Sequence, residues 1–188
     1  MRKIVLMMSV SLDGYIEGPE RQIDWHTVDD ELHRHFNEEL SAVGGFLHGR
    51  VMYELMAGVW PTADADPAIT GPMAEFADIW LRTPKYVYSR TLEQEDVGWN
   101  STVVRDVVPA EVAALKAAGD GDLVLGGADL AAAFLRQDLV DAYRIYVHPV
   151  RIGRGRPLFP REGGPVPLRL EGTRAFGSGV VRLSYARQ

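Results

Sequence analysis

The stretch DLVLGGADLAAAFLRQDLVDAYRIYV, residues 122–147, decides the fold. Asp122 to Leu125 is a short apolar run that stops at a glycine pair, Gly126-Gly127, and reads as a strand. Ala128 to Gln137 is rich in good helix formers, and Leu130 and Phe134 fall four apart on one face. Tyr143 to Val147 is again apolar and rich in strand formers. A strand, a helix and a strand in so short a span describe a crossover unit, whose strands run parallel.

The same alternation continues toward the N-terminus. Residues 3–10 read as a buried strand and 13–28 as a long loop with turn signals at Asp13-Gly14 and Gly18-Pro19. A helix is expected over 29–42, where Leu32, Phe36, Leu40 and Val43 keep helical spacing and Asp29 and Asp30 suit the positive dipole end; Gly44-Gly45 should stop it. Phe46 to His48 reads as a strand, Arg50 to Ala57 as the start of a helix, and Pro61 to Pro72 as a surface loop. A helix over 72–81, strands at 85–88 and near 102–105, and a short helix from Pro109 to Lys116 complete this part. After residue 147 the pattern changes to strands at 168–174 and 180–186 with few helices between them. The expected fold is α/β, a three-layer α/β/α domain over residues 1–188, with a mostly parallel central sheet and antiparallel edge strands. Such a sheet carries its ligand at the carboxyl ends of the parallel strands.

Composition narrows the function. The 188 residues hold no cysteine, which excludes disulfides, thiolate metal sites and a cysteine nucleophile, and suits a cytoplasmic protein. A formal charge of −6 argues against sequence-independent nucleic-acid binding. The apolar run Ile4 to Val10 is too short for a membrane span and leads into an acidic turn at Asp13, so it reads as a strand rather than a leader. The five histidines show no ligand spacing, since His33 and His35 point to different faces of their helix; no metal is expected. There is no G-x-G-x-x-G, no P-loop motif and no G-x-S-x-G elbow.

Three strand ends look alike: His48-Gly49-Arg50, Ser89-Arg90-Thr91 and Gly126-Gly127-Ala128. Each alone is an ordinary turn. Together, on one rim of a parallel sheet, they offer close backbone approach, helix N-termini and two guanidinium groups to a ligand with several phosphates. The acids Asp13, Asp29 and Asp30 are a turn residue and two helix-start residues, or else groups that face the pocket and hold a heterocycle N–H or relay a proton.

The segments SVSLDGYIEG (9–18), FLHGRVMYELM (46–56), KYVYSRTL (85–92) and DLVLGGADLAAAFLRQDLVDAYRIYVHPVRIGRGRPLF (122–159) together resemble the dihydrofolate-reductase-like superfamily. They are most similar to the branch named after the C-terminal reductase domain of bifunctional riboflavin-pathway enzymes. The resemblance implies an NADPH-dependent oxidoreductase, often a homodimer, that passes a hydride to a pterin- or pyrimidine-like ring. The nearest activities are 5-amino-6-(5-phosphoribosylamino)uracil reductase and dihydrofolate reductase. It implies that Gly126 and Gly127, with Ala128 and Asp129, meet the cofactor diphosphate. Gly49 and Arg50 would form a phosphate-contacting helix start, and Ser89 and Arg90 would meet the adenosine 2′-phosphate. Gly14 and Ile16 would lie in a mobile loop over the nicotinamide. Asp13, Tyr15, Trp25 and Tyr53 are the implied substrate residues, with Asp29 or Asp30 as the catalytic acid. Trp25 and Asp30 keep the five-residue spacing of dihydrofolate reductases, whereas helical phase favours Asp29. Two positions depart from the branch: Tyr15 replaces a lysine and Leu125 replaces a glutamate. Both changes remove charge near the expected substrate and keep open an alternative, a non-catalytic NADPH-binding or ligand-sensing module.

Overall fold

The computed structural model describes residues 1–159 and 164–188. Its strands are β1 (Ile4–Ser11), β2 (Tyr15–Glu17), β3 (Gly45–Gly49), β4 (Lys85–Tyr88), β5 (Ser101–Val104), β6 (Leu123–Gly126), β7 (Ala142–His148), β8 (Arg156–Pro157), β9 (Leu168–Ala175) and β10 (Val181–Arg187). Its α-helices are α1 (Asp30–Leu40), α2 (Arg50–Ala57), α3 (Pro72–Arg82), α4 (Pro109–Ala117) and α5 (Ala128–Arg136). Eight strands form the central sheet in the order β5-β4-β3-β6-β1-β7-β10-β9. The six from β5 to β7 are parallel, and β10 and β9 add antiparallel at one edge, as the change of pattern after residue 147 implies.

Alternation along the strands sorts their side chains into two layers. Leu6, Leu47, Leu123 and Leu125 point to the α4 and α5 side and pack with Val112, Leu130 and Phe134. Phe46 and Val87 point the other way and pack with Leu40 of α1 and with Phe76, Ile79 and Trp80 of α3. Leu125 pairs in register with Leu6 on one side and Leu47 on the other and is fully buried. It is therefore a core residue: truncation there would cost ~2–5 kcal/mol.

Lys85 is also buried. Its Nζ donates to the carbonyls of Trp80 (2.5 Å) and Thr83 (2.8 Å) at the end of α3, and burial pushes its amine down to about 8. Three expectations need correction. Residues 13–28, expected to be a loop throughout, contain β2, which pairs antiparallel with β8. Helix α1 ends at Leu40, with Ser41 as its C-cap, and Gly45 already belongs to β3. Gly44 serves a different purpose from a helix stop: a β-carbon there would lie 2.2 Å from the Asp120 carbonyl, so only glycine fits beside that turn. The expected loop 61–72 begins as a 3-10 turn, Trp60–Ala65, which brings Trp60 against Phe76 of α3. No described helix is long and apolar enough to cross a membrane.

Candidate active site

The parallel strands end on one rim, and a cavity of about 960 Å³ opens there, near the upper end of the ~300–1,000 Å³ typical of small-molecule sites. One end of it is built from the starts of two helices. Strand β3 runs through Gly49 into α2, and β6 runs through Gly126 and Gly127 into α5. Gly49 and Gly127 are the N-caps, and neither helix start has a side-chain cap. The first-turn N–H groups of both helices thus lack the usual side-chain acceptor, and both positive dipole ends meet the cavity. Gly127 has φ +92°, and a β-carbon there would meet the Met52 β-carbon at 3.2 Å. Glycine is required here for both conformation and space. Gly126 is buried behind it and does not line the cavity, so of the pair only Gly127 faces the ligand space.

Cations surround this end. Arg90, mostly exposed, donates from Nε to Asp106 at 2.8 Å. Arg105 follows β5 and ties the loop after β4 by donating to the carbonyls of Ser89 (3.3 Å) and Leu92 (2.6 Å); it also pairs with Glu93. Ser89 Oγ accepts from the N–H groups of Thr91 (3.2 Å) and Leu92 (3.0 Å). Arg50 pairs with Glu54 at 3.0 Å, and Arg156 with Asp129 at 2.6 Å and Glu17 at 3.7 Å. Gly49, Arg50, Ser89, Arg90, Gly127, Ala128, Asp129 and Ile16 all line the cavity.

The opposite end is apolar. Phe36 and Leu40 of α1, Met56 of α2, Trp60, and Met73 and Phe76 of α3 line it, with Met7 and Tyr146 from the sheet. Trp60 meets Phe76 edge-on at 4.8 Å, His33 meets Phe76 at 6.0 Å, and Phe36 meets Tyr146 at 4.8 Å. His26 lines the same space and stacks on His148 at 5.1 Å, while Thr27 N–H donates to His148 Nδ1 at 3.2 Å. Burial pushes the His26 imidazole down to about 4, helped by the neighbouring His148, and burial lowers that of His33 as well. Both rings are neutral near pH 7.

Several residues expected from the sequence to meet the substrate or the proton lie elsewhere. Asp29 caps α1, accepting from Leu32 N–H at 2.9 Å, and Asp30 forms an exposed i,i+4 pair with Arg34 at 3.1 Å; neither lines the cavity. The helix start needs an acceptor, and that need explains Asp29 without a pocket. Tyr53 is buried beside Trp80, and its hydroxyl accepts from Gly98 N–H at 2.9 Å. Trp25 packs edge-on against His26 at 4.1 Å, outside the cavity lining. Tyr15 lies half-buried on β2, opposite Pro157 of β8. Asp13 accepts from the N–H groups of Gly153 (2.8 Å) and Ile152 (3.2 Å) and from Ser11 Oγ (2.7 Å). Desolvation acts to raise its carboxyl, but these bonds outweigh it and hold the group below the usual carboxylate range. With Gly14, whose carbonyl accepts from Leu158 N–H at 3.0 Å, it ties the start of the 13–28 loop to the 152–158 segment.

Arg105 is the cation on this rim that the strand-end pattern passes over. It follows its strand just as Arg50 and Arg90 follow theirs, so the same signal could have found it. The apolar end carried no separable signal, because Phe36, Trp60 and Phe76 read equally well as core.

Comparison with known proteins accords with this geometry. Residues 2–182 match the family described as the RibD C-terminal domain. YyaP of Bacillus subtilis (strain 168), described as an uncharacterized protein, is 34% identical over 185 residues, covering 98% of this chain and 94% of its own. Among solved structures, a putative riboflavin biosynthesis protein from Shewanella sp. PV-4 superposes with a TM-score of 0.75 at 22% identity, over 99% of each chain. A pyrimidine reductase-like protein from Corynebacterium diphtheriae superposes with a TM-score of 0.64 at 13% identity, over 100% of this chain and 92% of that one. With a match over nearly the whole length and the fold of these neighbours, the chain belongs to the RibD C-terminal domain family and has the dihydrofolate-reductase-like fold.

Proposed function

We propose that the protein is an NADPH-dependent reductase of a small planar heterocycle of the pterin or pyrimidine kind. Family membership supports an oxidoreductase, and one observation carries the cofactor: two uncapped helix starts, at Gly49 and Gly127, meet at the strand ends, with Gly127 so close to Met52 and Gly49 that a β-carbon would crowd them. That is the donor set a diphosphate needs. The N–H groups opening α2 and α5, with Arg50, would hold the diphosphate. Ser89, Arg90, Thr91 and Arg105 would hold the adenosine 2′-phosphate. The cofactor, when bound, supplies a hydride. The chain contributes alignment and the exclusion of water: Ile16, 5% exposed, covers the cavity from strand β2, and the aromatic wall seats the ring. Among the described residues no carboxylate lines the apolar end, so solvent supplies the proton that completes the reduction.

The reading includes a homodimer, supported by the edge of β9, which pairs with no further strand among the described residues and exposes Leu170; sedimentation tests it. NADPH oxidation measured against dihydropterins, folates and aminouracils tests the activity. A second reading, a cofactor-binding module without turnover, is favoured by the same carboxylate-free apolar end. Tight NADPH binding with no oxidation by any ring compound would select it.

A further inference from the structure

The apolar end of the cavity specifies what kind of ring it accepts, given the reductase reading above. We propose that the substrate is an uncharged aromatic ring compound, without phosphate or carboxylate groups, held against Trp60 and Phe76 and hydrogen-bonded by the His26 and His33 imidazoles. The wall is the first reason. Phe36, Met56, Trp60, Met73 and Phe76 come from α1, α2, the following 3-10 turn and α3, and none of them can balance a charge. Trp60 and Phe76 meet edge to face, with ring centroids 4.8 Å apart, and the corner they form suits a flat ring.

The placement of the charges is the second reason. The guanidinium groups of Arg50, Arg90, Arg105 and Arg156 stand at the cofactor end, each already paired with a carboxylate. Arg21 lines the cavity from an exposed position that belongs to neither α1 nor α3. An anion seated between α1 and α3 would therefore be desolvated without a partner. The imidazoles are the third reason. His26 Nε2 and His33 Nδ1 have no hydrogen-bond partner among the described residues and are closed off from solvent, so each ring has to turn to offer that nitrogen to a ligand. Both rings line the cavity and are polar but uncharged near neutral pH, which suits a carbonyl or a ring nitrogen rather than a phosphate.

A matched pair of probes tests this. Quinoxalin-2-one is flat and uncharged, and it carries a reducible C=N bond. A hydride adds to its carbon 3 and a solvent proton to nitrogen 4, while NADPH becomes NADP⁺. Quinoxaline-2-carboxylate has nearly the same shape and a full negative charge. Tryptophan fluorescence titrations of the whole protein, with and without saturating NADP⁺, should show at least tenfold tighter binding of quinoxalin-2-one. Met73→Lys should reverse that preference while leaving NADPH affinity unchanged. Arg21→Ala should leave quinoxalin-2-one binding unchanged. Equal affinities, a preference for the carboxylate, no binding of either, or tighter binding of a ribose-phosphate uracil that Arg21→Ala abolishes would each overturn the proposal. Failure of NADPH to bind would instead overturn the cofactor reading, and the probe preference measured without nucleotide would still decide this one.

Discussion

Gly127 and Gly49 meet across the rim of the sheet: a β-carbon on Gly127 would stand 3.9 Å from the Gly49 nitrogen and closer still to Met52. Two helix starts that lie more than 70 residues apart in sequence are thereby brought to one point. In Gly127→Val the added side chain would fill the space and strain a backbone at φ +92°. The variant should lose NADPH affinity by roughly a hundredfold and destabilise by ~1–3 kcal/mol while remaining folded. Nucleotide titration beside a thermal melt checks both; unchanged affinity in a folded variant would move the phosphates elsewhere.

In the proposed cofactor site, Arg90 and Asp106 would set the nucleotide preference. Their ion pair is exposed and worth little to stability, but the Asp106 carboxylate would repel a 2′-phosphate at the same guanidinium. Asp106→Asn should therefore tighten NADPH about two- to fivefold and leave NADH unchanged. Arg90→Ala should weaken NADPH by about tenfold with little effect on NADH. Equal effects on both nucleotides would contradict the assignment.

Asp29 is expected to act on stability. Its side chain accepts from Leu32 N–H at the start of α1. Asp29→Ala should lower stability by ~1 kcal/mol in urea unfolding, without a change in nucleotide affinity. A loss of turnover with no change in stability would return Asp29 to the chemistry.

All five histidines are held below their usual range, chiefly by burial. His48, stacked on Phe46 inside the sheet and close to Lys85, is pushed down to about 3, and His26 to about 4. Between those values and 6.5 the unfolded chain binds protons that the folded chain does not, so stability rises with pH across this window. The contribution of these groups is flat above about pH 6.5, falls as the pH drops toward 4, and amounts to a few kcal/mol for His48 alone. Urea midpoints at about pH 7.5, 6 and 5 should fall in that order, and His48→Leu should flatten the slope. A wild-type profile without slope over this interval would contradict the burial argument.

The secondary structure was largely legible because its signals are local. Helical spacing marked Leu32, Phe36 and Leu40, strand-helix alternation implied parallel strands, and the tail without helices implied the antiparallel edge. The grouping of residues along the cavity rim was legible for a related reason: in a parallel sheet every strand end lies on the same side, so residues at strand ends are neighbours whatever the strand order. Gly49, Arg50, Ser89, Arg90 and Gly127 could thus be placed together from sequence, and Arg105 by the same rule.

The substrate end could not be read this way. A helix start gives an aspartate the same signature whether it caps a backbone N–H, as Asp29 does, or faces a ligand. Likewise, a large apolar side chain looks the same whether it fills the core, as Tyr53 does, or lines a cavity, as Phe76 does. Only tertiary packing separates these cases. It does so by turning Trp60 inward, committing Asp13 to the backbone of Ile152 and Gly153, and leaving His26 and His33 on the cavity wall. Sequence alone determined the sheet, its helices and the rim, because these follow from periodicity and chain direction. The apolar, carboxylate-free character of the opposite end was decided by contacts between α1, α2 and α3, which depend on how distant segments pack.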